Sequence, residues 1–353
     1  MFEDLLRGWA GEEVALRFDA EMGTWMIVCV DSTVLGPAMG GTRMKVYPDP
    51  HDALADGLRL ASAMTLKHAA ADLPYGGGKA VLAVSSVPAA GADGRRELML
   101  RYGDLVASLG GTYVTAADMN TGRLDMDVIG ERCRHVLGRS PEQGGSGDPG
   151  RSTGIGVFHG IVAAARHAFG SGDLAGRTVL VQGVGSVGSA LSERLHEAGA
   201  TLIVSDVDGG RSSAIARRLG ATAIPVDDVV ATECDIFAPC ATGGALSEDS
   251  IPRLRAVVVA GAANNQLATR RDAARLRDSG ILYAPDFVIN AGGVIHLVGY
   301  ETLGWDEPTM AARLAAIADT LALVFAEADR DGITTNAAAV RLARSRIDVA
   351  ARA

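Results

Sequence analysis

The segment 178–206 constrains the fold of this chain more than any other. A continuous apolar strand, 178–182, runs directly into Gly183-Val184-Gly185-Ser186-Val187-Gly188, and a predicted helix follows. The next predicted strand, 201–205, ends at Asp206. In this strand–turn–helix–strand context, a G-x-G-x-x-G sequence holds the pyrophosphate of a dinucleotide at the helix N-terminus. The segment therefore predicts a Rossmann-type domain with a doubly wound parallel sheet.

The residues of this motif have separate expected roles. Gly183 is expected to form the tight turn, Gly185 to let the backbone approach the pyrophosphate, and Gly188 to let helix and strand pack closely. Asp206 stands where a carboxylate accepts the ribose hydroxyls of adenosine and repels a 2′-phosphate. The motif thus predicts NAD as the cofactor, although Arg211 is the residue type that tolerates a phosphate. The alternative is a glycine-rich connection between strand and helix, in which the glycines serve only close packing.

Composition restricts the class of protein. The 353 residues exceed one ordinary hydrophobic core, so we expect two domains. The net charge is −9 and no basic stripe is present, so we expect no nucleic-acid partner. Cys29, Cys133, Cys234 and Cys240 lack metal-site spacing, so we expect no metal and a reducing compartment. Without a leader pattern or an apolar run of membrane-spanning length, the sequence predicts a cytoplasmic protein with no membrane partner.

The apolar pattern outlines an α/β protein of two domains with a cleft between them. Residues 1–148 are predicted to form a substrate-binding and catalytic domain with a mixed sheet, which the C-terminal helix 331–353 joins. Residues 149–330 are predicted to form the NAD-binding domain, after a Gly/Ser/Asp/Pro-rich hinge at 143–151. In the first domain the predicted strands are 13–19, 24–31, 80–84 and 112–116, and the predicted helices are 93–109 and 50–72, the latter capped by Asp49.

Two lysines bracket a triple glycine in the first domain. Lys67 falls in the last turns of the predicted helix, and Lys79 directly follows Gly76–Gly78 at the start of a strand. We expect these glycines to adopt positive φ and to bring the backbone close to a small ligand. Burial is expected to lower the pKa of Lys79 toward neutrality. Asp118 stands at the carboxyl end of a strand, where open α/β sheets bind ligands. Together the residues suit polarisation of a carbonyl group or transfer of a proton, and a flexible turn between solvated lysines is the alternative.

Seven motifs, in order along nearly the whole chain, resemble the Glu/Leu/Phe/Val amino-acid dehydrogenase family. The resemblance implies a reversible, NAD-dependent oxidative deamination of an L-amino acid to a 2-oxo acid and ammonia. The string Ile295-His296-Leu297-Val298-Gly299 is similar to the phenylalanine, leucine and valine members. The seven motifs are Gly36-Pro37-Ala38-Met39-Gly40-Gly41-Thr42-Arg43, the Lys67 helix, Gly76-Gly77-Gly78-Lys79, Ala117-Asp118-Met119-Asn120-Thr121, Gly183 to Gly188, Gly261-Ala262-Ala263-Asn264-Asn265 and Asn290-Ala291-Gly292-Gly293.

The resemblance also implies roles for single residues. Lys67 would pair with the substrate carboxylate, Lys79 would bind the carbonyl oxygen or the attacking water, and Asp118 would move protons. The substrate would be oriented by the backbone of Gly40 and Gly41 and by Asn264 and Asn265. In the cofactor site, Thr153 would touch the carboxamide, and Cys240, Ala241 and Ala262 would line the remaining surface.

Four positions would surround the substrate side chain by the same resemblance: Met39, Ala116, Val294 and Leu297. None is a cation that would meet the carboxylate of glutamate, so an apolar substrate is expected. The chain length and the 295–299 string favour L-phenylalanine, whereas the bulk of Met39 and Val294 favours leucine or valine. Because a few methylenes in an apolar pocket contribute only about 1–3 kcal/mol, mixed specificity is compatible with either choice.

Two readings from other classes stay open on sequence alone. One is an NAD-binding Rossmann protein without catalysis, against which the joint presence of Lys67, Lys79 and Asp118 argues. The other is oxidative decarboxylation of a hydroxy acid, which usually needs a carboxylate–metal cluster that the sequence lacks. The exposed edge of the N-terminal strands predicts pairing between subunits, hence a homo-oligomer.

A few further polar residues are interpreted mainly as structural. His68 adjoins Lys67, but neighbouring helical positions point about 100° apart. Asp125 and Asp127 are expected to cap a helix. Arg43 is expected to anchor loops or a subunit contact, and His296 to pack a helix or to border the substrate pocket.

Overall fold

The computed structural model describes residues 2–352, which divide into two compact units. The first unit runs to Asp148 and takes in Leu297–Gly304 and the residues from Ala343 onward. The second comprises Pro149–His296 and Trp305–Leu342. The first division falls inside the predicted hinge. Later in the chain the observed units differ from the predicted ones, because 297–304 pack within the first unit and 331–342 within the second.

The first unit is built on a mixed five-stranded sheet with the order β1-β2-β4-β3-β5. The β1–β2 and β2–β4 pairs are antiparallel, and β3 is parallel to both β4 and β5. The strands are β1 (Glu13–Asp19), β2 (Thr24–Ser32), β3 (Ala38–Lys45), β4 (Gly76–Ala83) and β5 (Tyr113–Ala117), and the helices are α1 (Phe2–Arg7), α2 (Pro50–Ala70), α3 (Asp93–Ser108) and α4 (Arg123–Gly130).

Each face of this sheet carries its own apolar core. Helix α2 packs on the face formed by Ile27, Cys29 and Val81, and α3 and α4 cover the opposite face around Tyr102. The alternation of side chains along each strand produces this division, since successive residues point to opposite faces. The face beneath α2 is the one that carries Lys79, because residues 79 and 81 share a face of β4.

The triple glycine forms the start of β4, and its role differs from the expected one. None of Gly76–Gly78 has a positive φ. Instead, added Cβ atoms would lie 1.8 Å from the Ser32 carbonyl oxygen at position 76, 2.1 Å from the Thr65 backbone nitrogen at 77, and 2.8 Å from the Tyr113 ring at 78. These glycines are needed for close packing of the strand against its neighbours and against α2, and the expectation of left-handed backbone is wrong.

The second unit contains a six-stranded parallel sheet with the order β11-β10-β9-β6-β7-β8. This order is that of a doubly wound α/β domain, as expected. Its strands are β6 (Thr178–Gln182), β7 (Thr201–Ser205), β8 (Thr222–Ala223), β9 (Ile236–Pro239), β10 (Val258–Val259) and β11 (Leu282–Tyr283). The remaining helices of the chain are α5 (Gly150–Phe169), α6 (Ser186–Glu197), α7 (Gly209–Leu219), α8 (Asp272–Asp278), α9 (Asp286–Ile289), α10 (Gly292–Glu301), α11 (Glu307–Asp331) and α12 (Thr335–Ala350).

Helix α11 has the length and mean hydropathy, 1.6, of a possible membrane span, and it is the one such helix in residues 2–352. Its buried residues include Leu314, Leu321 and Phe325, and the helix packs on α5 and α9. Buried helices of globular proteins meet the same criteria, so this feature by itself is weak evidence for a membrane.

Candidate active site

The first unit brings Lys79 and Asp118 into direct contact. Lys79 Nζ lies 2.9 Å from Asp118 Oδ2. Lys79 projects from β4 toward the side of the sheet covered by α2, and Asp118 directly follows β5. The lysine side chain is 6% exposed and the carboxylate 23%. The lysine of this ion pair is therefore buried, whereas its carboxylate is partly exposed to solvent.

The pKa values of both groups are lowered, but for different reasons. Burial, the largest effect, lowers the pKa of Lys79, although the charge and hydrogen bond of Asp118 oppose the shift. Burial alone would raise the pKa of Asp118, but the charges of Lys79 and Arg43 outweigh it and lower that pKa to about 2. A carboxylate that stays ionised beside an amine that loses its proton more readily than usual is an arrangement suited to acid–base chemistry.

Arg43 and Asp56 complete the cluster, and sequence reasoning did not place them there. Arg43 Nε donates to Asp118 Oδ2 at 3.0 Å, and its Nη1 donates to Asp56 Oδ2 at 2.9 Å. Tyr47 Oη donates to the same Asp56 oxygen at 2.7 Å. The alternation of β3 offered a signal, because positions 39, 41 and 43 share one face with Lys79. Asp56 lies on α2 and carries no comparable signal in the sequence.

Lys67 and His68 lie in the last turns of α2. Lys67 is half-buried. His68 is fully buried, and its Nδ1 lies 2.7 Å from the Gly76 carbonyl oxygen, which makes it the donor of a hydrogen bond to the glycine strand. Burial lowers the pKa of His68 to about 4. The neutral imidazole thus attaches the end of α2 to β4, in agreement with a structural role.

The backbone at Gly40 and Gly41 is tightly enclosed. The Gly40 carbonyl oxygen accepts a hydrogen bond from Tyr113 Oη at 2.6 Å. A Cβ at Gly40 would lie 1.7 Å from the Gly78 carbonyl oxygen, and one at Gly41 would lie 2.7 Å from Asp118 Cβ. Gly41 thus sits directly beside the catalytic candidate Asp118, and both positions exclude a side chain.

The residues predicted to surround the substrate side chain fall into both units. Met39 and Ala116 are buried on the same face of the sheet as Lys79, and Leu297 is buried in the first unit near Gly138. Val294 belongs to the second unit and is half-buried.

The turn Gly183–Gly188 has the geometry of a phosphate cradle. Gly183 has φ +90°, and a Cβ at Gly188 would lie 1.9 Å from the Gly183 carbonyl oxygen. A Cβ at Gly185 would meet nothing within 4 Å, so this glycine faces open space at the N-terminus of α6. Val184, Ser186 and Val187 complete the turn. These residues fit a dinucleotide pyrophosphate, which needs close backbone approach at that helix end.

Asp206 fixes the turn from the end of β7. Its Oδ2 accepts from the Val184 backbone N–H at 2.9 Å, and its Oδ1 accepts from the Asp208 N–H at 2.9 Å. Arg211 Nη1 lies 3.6 Å from Asp206 Oδ2. Each carboxylate oxygen retains capacity for a further donor, as a ribose hydroxyl would require.

Other predicted cofactor residues border the same glycine turn or anchor nearby loops. Cys240 N–H donates to the Gln182 carbonyl at 2.7 Å, and Ala241 lies against Gly183. Burial raises the pKa of the Cys240 thiol to about 12, which excludes a thiolate nucleophile near neutral pH. Thr153 Oγ1 donates to the Pro149 carbonyl at 3.0 Å within α5.

Asn290 organises the loop that carries Ala262, Asn264 and Asn265. Its Nδ2 donates to the Ala262 carbonyl at 3.1 Å and to Asn264 Oδ1 at 2.8 Å. Asn265 has φ +51°, a conformation that asparagine tolerates better than most residues. Asn290 was part of a family motif in the sequence, but its anchoring role becomes visible only in three dimensions.

His296 and Ser152 form a buried pair that the sequence did not indicate. Ser152 Oγ and His296 Nδ1 are 2.8 Å apart, joining α10 to α5 within the second unit.

Asp125 caps α4 by accepting from the Gly122 N–H at 2.8 Å, whereas Asp127 accepts from Ser140 N–H at 2.9 Å and so holds a loop. In residues 2–352 no cluster of three or more His, Cys, Asp or Glu side chains is arranged to hold a metal ion.

Comparison with known proteins gives matches over nearly the whole chain. A family model described as "Glu/Leu/Phe/Val dehydrogenase, dimerisation domain" matches residues 22–135. A second, described as "Glutamate/Leucine/Phenylalanine/Valine dehydrogenase", matches residues 144–213 and 211–353.

Named relatives and a solved structure extend this finding. The chain is 44% identical to a leucine dehydrogenase from Geobacillus stearothermophilus, over 97% of this chain and 92% of the relative. It is 46% identical to a valine dehydrogenase from Streptomyces albus, over 95% of this chain and 92% of the relative. The crystal structure of L-tryptophan dehydrogenase from Nostoc punctiforme matches with a TM-score of 0.85 and 39% identity, and the match covers 100% of both chains.

Proposed function

This chain belongs to the Glu/Leu/Phe/Val dehydrogenase family, and from that premise we propose that it catalyses the NAD-dependent, reversible oxidative deamination of branched-chain L-amino acids. The observation that carries the proposal is the buried Lys79–Asp118 pair, with its 2.9 Å contact and its lowered lysine pKa. Such a pair supplies an amine that loses its proton more readily than an ordinary lysine, beside a carboxylate that stays ionised.

The chemistry explains why these two groups are required. The α-carbon gives up a hydride only when the substrate amine is neutral, so a base must remove the ammonium proton. Water then adds to the imine to give a carbinolamine, whose C–N bond breaks to release ammonia and leave the 2-oxo acid. Lys79 is suited to hold that water or the resulting oxygen. Asp118 stays an anion that accepts hydrogen bonds from these groups as their protons move, while Lys67 pairs with the substrate carboxylate. NAD, when bound, accepts the hydride, and the protein orients and desolvates the reactants.

Branched-chain amino acids replace phenylalanine as the favoured substrates. Relatives that carry the names leucine dehydrogenase and valine dehydrogenase match over 95% or more of the chain. Their names support the alternative based on Met39 and Val294 rather than the preference based on the 295–299 string. The structural neighbour named L-tryptophan dehydrogenase makes aromatic amino acids the second class to test.

NAD is proposed in preference to NADP. Asp206 places a carboxylate beside the Val184 N–H of the cradle, where a 2′-phosphate would meet a negative charge. Arg211, 3.6 Å from Asp206, is already engaged by that charge and by Asp208. The carboxylate therefore outweighs the arginine in selecting the cofactor.

Self-association is proposed through the first unit. Strand β1 is an edge of the five-stranded sheet, and Phe18 on that strand is half-exposed. An edge strand with exposed apolar side chains favours pairing with another chain. The family model that matches residues 22–135 is described as a dimerisation domain. The cytoplasmic location stays a prediction.

The test is an NADH-formation assay with separate L-leucine, L-valine, L-isoleucine, L-phenylalanine, L-tryptophan and L-glutamate substrates. The decisive variant is Lys79→Arg, which keeps the positive charge but cannot lose its proton. We expect a fall in kcat of about 10²–10⁴-fold, the usual contribution of general acid–base catalysis. Lys45→Arg is the matched control, because Lys45 is exposed and lies 5.0 Å from the Tyr47 ring centroid.

The outcomes separate the candidate functions. Turnover led by leucine, valine or isoleucine supports the proposal, and turnover led by phenylalanine or tryptophan moves the enzyme to the aromatic class. Binding of NADH without turnover of any amino acid contradicts the proposed reaction and favours a non-catalytic NAD-binding protein.

A further inference from the structure

Arg43 connects three parts of the first unit at the candidate active site. From β3 its Nε reaches Asp118 after β5 at 3.0 Å, and its Nη1 reaches Asp56 on α2 at 2.9 Å. The arginine side chain is 14% exposed. A guanidinium holds its donors in one rigid plane, so the two contacts fix the carboxylate of Asp118 relative to α2.

Asp56 is itself held from two further sides. Tyr47 Oη donates to its Oδ2 at 2.7 Å, and Arg59 Nη2 donates to its Oδ1 at 2.7 Å. Four hydrogen bonds thus run from Asp118 through Arg43 and Asp56 to Tyr47 and Arg59. Arg43 and Lys79 contact the same oxygen atom of Asp118, Oδ2, at 3.0 and 2.9 Å.

The shared oxygen has an electrostatic consequence. When Lys79 gives up its proton, Asp118 loses one of its two cationic partners. A buried carboxylate without a cation tends to take up a proton, which would end its role as an anion. Arginine does not lose its proton in proteins, so Arg43 remains charged throughout.

We propose that Arg43 is a positioning residue for the reaction, which holds the Asp118 carboxylate in place and ionised while Lys79 changes its protonation state. The inference rests on the proposed function. Asp56 sets the strength of this effect, because its negative charge neutralises part of the charge on Arg43. The pair Arg43–Asp56 therefore acts on Lys79 through Asp118.

The basic residues of the chain are of two kinds, and the proposal assigns a different role to each: a lysine changes its protonation state and an arginine stays charged. The sequence contains three lysines, Lys45, Lys67 and Lys79, among 33 basic residues. All the other residues in this group are arginines. Of the three lysines, Lys79 is the one whose proposed role needs a group that can lose its proton, whereas an arginine, which stays charged, stands at position 43.

The same scarcity of lysine makes a direct measurement possible. In protein labelled with isotopes only at lysine, NMR should show three side-chain Nζ signals, and Lys45→Arg removes one of them for assignment. The pH titration of the Lys79 signal then reports its pKa without any turnover. The charged groups that act on Lys79 are Asp118, Arg43 and Asp56, and Tyr47 joins this cluster by its hydrogen bond to Asp56. Cys29 on β2 is the direct neighbour of Lys79 across the sheet.

Two variants should move this titration in opposite directions. Arg43→Gln removes a like charge and should raise the titration midpoint of Lys79 by roughly one to two pH units. Asp56→Asn removes an opposite charge and should lower it by a smaller amount. Arg43→Lys keeps the positive charge but lacks the planar set of donors of the guanidinium, so it should nearly restore the titration midpoint of Lys79. In the kinetic assay, Arg43→Gln should lower kcat at least about tenfold with a smaller change in KM.

Arg101→Gln is the matched control for loss of a bridging guanidinium. Arg101 joins Asp19, Glu21 and Glu97 elsewhere in the same unit. The variant Arg101→Gln should lower the free energy of unfolding without changing the titration midpoint of Lys79. An unchanged midpoint in Arg43→Gln, or shifts of the same sign in Arg43→Gln and Asp56→Asn, would overturn the proposal. Failure of the proposed function appears differently, as absence of turnover in the unmodified enzyme.

Discussion

His68 shows how one buried side chain makes the stability of this protein depend on pH. The imidazole is completely buried and donates to the Gly76 carbonyl, and burial lowers its pKa from 6.5 to about 4. In the unfolded chain the same group takes up a proton near pH 6.5, so below that pH protonation favours unfolding. The stabilisation is complete above pH 6.5 and is lost progressively as the pH falls toward 4.

This dependence predicts a measurable acid sensitivity. The shift corresponds to about 3 kcal/mol of unfolding free energy lost between pH 6.5 and 4. His68→Asn, whose amide replaces the Nδ1–H donor, should unfold more easily at pH 7 but show a flatter profile in this range. Urea unfolding at a series of pH values measures both quantities. An unchanged slope in His68→Asn would show that other groups cause the acid sensitivity.

At the residue scale the proposed reacting groups were easier to find in the sequence than the residues that support them. Lys79 and Asp118 stand in motifs, and the structure brings them to 2.9 Å. The contact of Asp118 with Arg43, and of Arg43 with Asp56, joins β3, the end of β5 and α2. Such a contact depends on strand order, since β3 lies between β4 and β5. Strand order is not readable from a single sequence, so these supports were missed.

At the scale of single elements, β4 owes its position to the absence of side chains. A Cβ at Gly77 would lie 2.1 Å from the backbone nitrogen and the Oγ1 atom of Thr65 on α2. No rotation relieves a clash with backbone, so α2 would have to move away from the strand that carries Lys79. The glycine therefore sets the distance between the helix of Lys67 and the strand of Lys79.

Gly77→Ala should accordingly impair both folding and catalysis. We expect a loss of roughly 1–3 kcal/mol or more in unfolding free energy, the usual cost of overpacking, with a loss of turnover. Gly94→Ala is the control, because a Cβ there meets nothing within 4 Å and alanine favours the helix α3. Equal stability of the two variants in thermal unfolding would contradict this account.

Most elements were predictable because they carry local signals. Helix α2 begins where the Asp49 cap and Pro50 predict, and the Asp49 side chain accepts from the His51 N–H. The hairpin β1–β2 and the unit β6–α6–β7 also follow their periodicity. Strand β3 was not predicted, because its Gly40-Gly41 pair lacks strand propensity. Hydrogen bonding to β4 and β5 on either side makes this segment a strand, and the sequence of the segment alone does not show which strands it will pair with.

At the scale of the whole molecule, neither unit is one continuous stretch of chain. The chain passes between the units four times, and two of these passages fall inside helices, in α10 and in α12. The end of α12 returns to the first unit, where Arg346 Nη1 donates to the Ala69 and Ala70 carbonyls at 2.9 and 2.7 Å. These are terminal carbonyls of α2, which have no partner within their own helix.

Arg346→Ala should therefore weaken the helix that carries Lys67. We expect a loss of about 1–3 kcal/mol in unfolding free energy and a higher KM for the amino acid. The cost comes from removing the Arg346 donor from the Ala70 carbonyl, since the Ala69 carbonyl keeps the Asp72 N–H at 3.2 Å. The exposed Arg344, two positions earlier, provides the control as Arg344→Ala. Denaturant unfolding and substrate titration test the prediction, and equal behaviour of the two variants would refute it.

The returning tail also fixes the order in which the protein can be completed on the ribosome. Domains generally fold from the N-terminus as they emerge during synthesis. Here the first unit lacks the residues from Ala343 onward until the second unit, which is complete at Leu342, has been synthesised. The unit whose synthesis begins first is consequently completed after the second unit, and the nascent sheet must wait for α12 to emerge before Arg346 can secure the end of α2.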